Sequence, residues 1–182
     1  MSEFGNALVT LAASQVGYVE GPNNANKYGA YFGHDNEPWC CWFILWCQAQ
    51  LGVDGQSYGF NAGVTSFYNK NNVSVDALET GDYVCFGTNR AYWIGPRQHA
   101  EIFVGYDSNG NLQTIGGNTG GGSQSEGDGV YRKTRGRDEV SACVHFDPGS
   151  PWPIPPPTPP PEPGESGIFL KPYEYYRTLR RW

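Results

Sequence analysis

Apolar residues in the first third of the chain recur with the spacing of helices. Phe4, Ala7, Leu8, Leu11, Ala12 and Val16 fall three and four positions apart, which predicts an amphipathic helix over Glu3 to Val16 that Gly17 ends. A polar, Asn-rich loop follows through Gly21-Pro22-Asn23-Asn24-Ala25-Asn26, and Tyr28 to Phe32 suits a short helical turn. Cys40, Phe43, Ile44, Cys47 and Leu51 predict a second helix over Pro38 to Leu51. Pro38 is placed in its first turn, where a missing N–H costs nothing, and Gly52 closes it. Ala62 to Tyr68 is a third, short helical candidate.

From about residue 80 the pattern shortens to apolar runs bounded by Gly, Asn or Asp. Tyr83 to Phe86, Ala100 to Val104, Leu112 to Ile115, Val130 to Thr134 and Val140 to Phe146 read as strands of an antiparallel sheet. Helices first and strands later predict an α+β fold, with the helices packed on the sheet. The globular part is expected over residues 1–147, a proline-rich linker over 148–164 and a short basic and aromatic tail over 165–182. The linker suits polyproline II, and at about 3.1 Å per residue it reaches roughly 50 Å. No internal repeat is found.

Composition narrows the classes of function. The 182 residues carry a formal charge of −6, so nucleic acid is not the expected partner, because a phosphate backbone needs a basic footprint. Met1 to Asn6 contains no basic region, and the apolar stretch Ala7 to Ala13 is interrupted by Thr10. Neither a secretory signal nor membrane insertion is therefore expected. The five cysteines are odd in number, irregular in spacing and form no Cys-x-x-Cys pair, so neither a disulfide framework nor a structural zinc site is expected. Attention moves to thiol reactivity.

Cys40 follows Pro38-Trp39 at the predicted start of a helix. Unpaired N–H groups and a partial positive charge there favour a thiolate and an oxyanion formed on attack. Taken alone, a buried cysteine is more often a small core residue. Cys41 is its rival, while Cys47, Cys85 and Cys143 read as structural. A cysteine nucleophile needs a base, and the candidates are His34, His99 and His145. His99 is favoured because it opens a strand after a Gly/Pro-containing loop. Either Asn118, after the next strand, or Glu101, on the same strand face as His99, is a candidate to orient the imidazole.

Several segments then resemble one family in order. Gln15-Val16-Gly17-Tyr18-Val19-Glu20-Gly21-Pro22-Asn23-Asn24, Lys27-Tyr28-Gly29 and Pro38-Trp39-Cys40-Cys41-Trp42-Phe43 look like the first half of a CHAP domain. Gly81-Asp82-Tyr83-Val84-Cys85-Phe86, His99-Ala100-Glu101-Ile102-Phe103-Val104-Gly105 and Thr114-Ile115-Gly116-Gly117-Asn118-Thr119 look like its second half, and Gly129-Val130-Tyr131-Arg132 like a closing strand. The resemblance runs from about residue 6 to 147. It implies a papain-like (NlpC/P60-like) fold and cleavage of an amide bond in bacterial peptidoglycan through a cysteine thioester. It places the nucleophile on Cys40, the base on His99 and a polar partner on Asn118. Many members also carry a Glu two residues before that Asn, a position held here by Gly116. Tyr18, Glu20, Asn23, Asn24, Trp39 and Trp93 are expected to line the substrate groove, with core packing the competing role of the tryptophans.

No cofactor is expected. Some members bind calcium near His34-Asp35-Asn36-Glu37, but that loop lacks an EF-hand pattern, so a solvated loop is preferred. A wall-cutting domain, a proline linker and a tail together resemble a bacteriophage endolysin, held in the host cytoplasm until lysis, or a virion-associated protein. Lys171, Arg177, Arg180 and Arg181 of the tail would then face anionic wall polymers. The alternatives are a non-catalytic phage structural or wall-binding protein on a CHAP scaffold, and an amidase acting on a small soluble substrate.

Overall fold

The computed structural model describes residues 2–68, 70–87, 98–120 and 127–149. Trp93, the tail and all but the first two residues of the proline-rich segment lie outside them. Among the described residues four α-helices come first: α1 (Glu3–Ser14), α2 (Lys27–Tyr31), α3 (Cys40–Gln50) and α4 (Thr65–Tyr68). Six strands follow: β1 (Asn72–Val73), β2 (Tyr83–Phe86), β3 (His99–Tyr106), β4 (Leu112–Thr119), β5 (Gly129–Arg135) and β6 (Val140–Val144). They form one antiparallel sheet in the order β1-β6-β2-β3-β4-β5. The expected α+β architecture is the observed one. No helix among the described residues is long and apolar enough to cross a membrane.

The sheet separates two layers of apolar contact. On one face Ala100, Ile102, Ile115 and Val144 join Phe4, Leu8 and Ala12 of α1 and the whole inner length of α3. On the other, Val84, Phe86, Phe103, Leu112 and Cys143 pack with Leu78. Strand alternation therefore gives β3 two chemistries. Ala100 and Ile102 face the helices, and His99, Glu101 and Phe103 share the opposite parity.

Helix α3 is apolar well beyond the positions that predicted it. Every residue from Cys40 to Gln48 is buried, including Trp42, Leu45 and Trp46 outside the apolar stripe. A helix apolar all round belongs inside a domain, and α3 sits between α1, α2 and the sheet. It also begins later than expected: Pro38 precedes it and Cys40 is its first residue. Helix α1 stops at Ser14 and leaves Val16 exposed. Strand β1 had no signal in the sequence because two residues at a sheet edge carry no period.

Close approach of α3 to β4 depends on one glycine. A Cβ on Gly117 would lie 2.5 Å from Trp39 Cζ3 and 2.6 Å from Phe43 Cβ. Helix and strand touch there with no room for a side chain. Gly117→Ala is expected to lower stability by about 1–3 kcal/mol, the usual cost of overpacking a core. The shift of the urea midpoint measures it, and an unshifted midpoint would show that the contact yields freely.

Candidate active site

The start of α3 exposes one thiol more than the rest. Cys40 retains 6% of its surface, Cys143 retains 3%, and Cys41, Cys47 and Cys85 retain none. Trp39, the residue before the helix, supplies no side-chain cap, so the positive end of α3 lies directly at Cys40. None of the five cysteines is in a disulfide.

Adjacent thiols are driven apart in acidity. The Cys41 sulfur lies 4.0 Å from that of Cys40. This contact does most to hold Cys40 well below the ordinary thiol value; burial opposes it, and the nearby charge of His99 and the N–H of Ala100 reinforce it. Cys41 moves the other way, raised first by the same contact and then by burial. A thiolate can only accept a hydrogen bond, so Cys41 is the donor of the pair. Burial also raises Cys47 and Cys85. Cys40 is the thiol that this surrounding ionises.

His99 begins β3 and is fully buried. Its Nε2 lies 3.1 Å from Glu101 Oε1, and its buried Nδ1 makes no hydrogen bond among the described residues, so that nitrogen is open to a reacting group. Burial works against a charge on the ring. The nearby Cys40 thiolate and the charge and hydrogen bond of Glu101 outweigh it and lift His99 to about 9. The favoured state is a thiolate beside an imidazolium.

Glu101, also fully buried, is the orienting group that reaches the imidazole. Arg135, at the end of β5, grips its carboxylate with two donors: Nη2 to Oε1 at 2.5 Å and Nε to Oε2 at 3.2 Å. The Thr114 hydroxyl donates to Oε2 at 2.5 Å. Burial raises the carboxyl, but the bonds and charges of His99 and Arg135 prevail and hold it down near 2. Asn118, buried at the end of β4, has φ 52°, a left-handed conformation that Asn tolerates, at a break in register between Gly116 and Thr119.

The remaining predicted residues scatter. Trp39 is fully buried, stacked on Tyr28 at 5.0 Å, with its indole N–H donating to Glu20; it is a core residue with no surface for a ligand. Tyr18 is half-buried edge-on to Trp39, and its hydroxyl accepts from the Lys27 N–H at 3.0 Å. Asn23 and Asn24 form a turn with φ 59° each, Asn23 exposed and Asn24 half-buried. His34 stacks on Trp42 at 4.6 Å, and Asp35 accepts from the N–H groups of Asn26 and Asn36. His145 pairs with Asp82 at 2.8 Å. Among the described residues no group of three or more His, Cys, Asp or Glu is placed to hold a metal ion.

Sequence reading missed Arg135, Thr114 and the donor role of Cys41. A carboxylate within the apolar run Ala100 to Val104 calls for a cation. Whether Arg132, Lys133 or Arg135 supplies it depends on the register of β3, β4 and β5, which no local pattern encodes.

No family model matches the chain, and no curated protein matches it. Solved structures that resemble it include the peptidoglycan hydrolase RipB of Mycobacterium tuberculosis, with TM-score 0.47 and 15% identity over 79% of this chain. The matched region spans 64% of the RipB chain. RipD of the same organism, a non-catalytic NlpC/p60 domain protein adapted to peptidoglycan binding, gives TM-score 0.44 and 11% identity over 80% of this chain and 98% of its own.

The buried carboxylate makes a measurable contribution to stability. Glu101 is near 2 in the fold against an ordinary 4.5, so its stabilisation is present above 4.5 and is lost as pH falls toward 2. Glu101→Gln, which removes the carboxylate clamped by Arg135, is expected to cost about 3–5 kcal/mol at neutral pH. The gap between wild type and variant should narrow through that acid window. Urea unfolding at a series of pH values tests this, and a constant gap would mean that Glu101 is not ionised in the fold.

Proposed function

We propose that the protein is a cysteine-dependent hydrolase that cleaves an amide bond of bacterial peptidoglycan. The observation that carries the reading is the line from Cys40, at the positive end of α3, through His99 to Glu101. The wall substrate rests on the ordered CHAP-like segments of the sequence. Cys40 is the nucleophile, His99 the acid and base, and Glu101 the residue that positions the ring. Asn118, the polar partner that the resemblance implies, lies at the end of β4.

The Cys40 thiolate attacks the amide carbonyl carbon and forms a C–S bond. The oxygen takes the negative charge next to the first turn of α3, where peptide N–H groups and the helix dipole favour it. Protonated His99 gives its Nδ1 proton to the nitrogen as the C–N bond breaks, leaving a thioester and neutral His99. Water then attacks the thioester and passes a proton to His99. The C–S bond breaks, the acid departs and the thiolate–imidazolium pair returns. Because the proton needed by the leaving nitrogen resides on His99, the competent form is lost as pH rises through about 9. The bond is the muramoyl–alanine amide or one within the peptide or cross-bridge.

On this reading the protein is a phage-type lysin, held in the host cytoplasm until lysis, with the basic tail contacting anionic wall polymers. It needs no cofactor. Clearing of a cell-wall suspension tests the reading. Cys40→Ala and His99→Ala are expected to lose about a thousandfold or more, as removal of a member of a nucleophile–base pair does. Cys41→Ala is expected to lose roughly tenfold, the worth of one hydrogen bond to a charged group. Clearing that survives Cys40→Ala but not Cys41→Ala would transfer the nucleophile. A wild type that binds walls without clearing them would make this a wall-binding protein.

A further inference from the structure

Glu101 and Gly116 face each other across β3 and β4, since Ile102 pairs with Ile115 in an antiparallel register. A Cβ on Gly116 would lie 2.7 Å from Glu101 Cγ, 2.9 Å from Oε1 and 3.0 Å from Cδ. The Glu101 side chain therefore fills the space that any side chain at 116 would need. The gap holds only one of the two, and here the carboxylate comes from β3.

Its far side is closed by Arg135. The guanidinium meets both carboxylate oxygens, stacks on Phe86 at 4.9 Å and, among the described residues, has Glu139, at 3.8 Å, as a second anion. Phe86 in turn lies against the His99 ring, centroids 6.5 Å apart. Only the oxygen nearest His99 is shared between ring and guanidinium; Thr114 takes the other. A planar two-donor clamp of this kind fixes the plane of the carboxylate as well as its charge.

We propose that Arg135 and Gly116 are positioning residues of the site, Arg135 by clamping the Glu101 carboxylate against His99 Nε2 and Gly116 by leaving the space that carboxylate occupies. The inference deepens the hydrolase reading and rests on it only for its effect on turnover. Without the guanidinium, burial favours protonated Glu101, and His99 loses the anion that supports its charge. Charged and titratable groups facing this line are Cys40 and Cys41 from α3, Cys85 from β2, Glu101 from β3, Arg135 from β5 and Glu139 beyond it.

The test is the NMR titration of the His99 ring in the full chain, assigned with His34→Gln and His145→Gln, with wall clearing measured in parallel. Wild type should titrate near 9. Arg135→Met is expected to lower the midpoint by about one unit or more, the effect of removing a close opposite charge from the carboxylate. Arg135→Lys keeps the charge without the fork and should fall between. Gly116→Ala should lower the midpoint while leaving every charge in place. A merely structural role would weaken the fold and leave the midpoint of the folded fraction near 9, and that result overturns the proposal. If Arg135→Met does not fold, Arg135→Lys and Gly116→Ala decide by the same criterion. Midpoints that fall in a protein unable to clear walls would uphold the clamp and remove the hydrolase reading. Clearing with unmoved midpoints would do the reverse.

Discussion

A carboxylate cannot lie ionised inside a sheet without a cation, and Glu101 has two. Arg135 holds it from β5 and His99 meets it from its own strand. The arrangement converts a burial cost into a directional device. The guanidinium keeps the carboxylate charged and flat, the carboxylate keeps the imidazole charged and turned, and the imidazole leaves its other nitrogen for Cys40. Each link fails if the one behind it is neutral.

The two glycines of Gly116-Gly117 serve opposite faces of β4. Gly116 makes room for Glu101 on the polar side, and Gly117 lets Trp39 and Phe43 touch the strand on the helical side. A single dipeptide thus sets both the depth of α3 and the place of the carboxylate. Cys41 adds the third constraint. Its raised pKa keeps the proton on its sulfur, so the thiol beside the nucleophile candidate supports ionisation of Cys40 instead of competing for it.

Much of this was legible along the chain where the period is strong. The α1 and α3 spacing, five of the six strands and the order of helices before strands all followed from apolar recurrence. Pro38-Trp39-Cys40 marked the start of α3 to within two residues. What local pattern could not carry was pairing across strands. The resemblance pointed to Asn118, with Glu101 as the alternative; the register of β3 on β4 places Glu101 opposite a glycine, and Arg135 was invisible because its partner lies 34 positions away. Trp39 looked like a groove residue because aromatic character does not distinguish a ligand wall from a core, and burial against Tyr28 decides it.

The central claim is that Cys40 rests as a thiolate paired with His99. Ultraviolet thiolate absorbance of the folded protein at neutral pH tests it most directly, with Cys40→Ala as the reference. The account expects a band equivalent to one thiolate per chain in wild type and none in Cys40→Ala. A wild-type band that appears only as pH approaches the ordinary thiol value of 9.0, or that persists in Cys40→Ala, would contradict it.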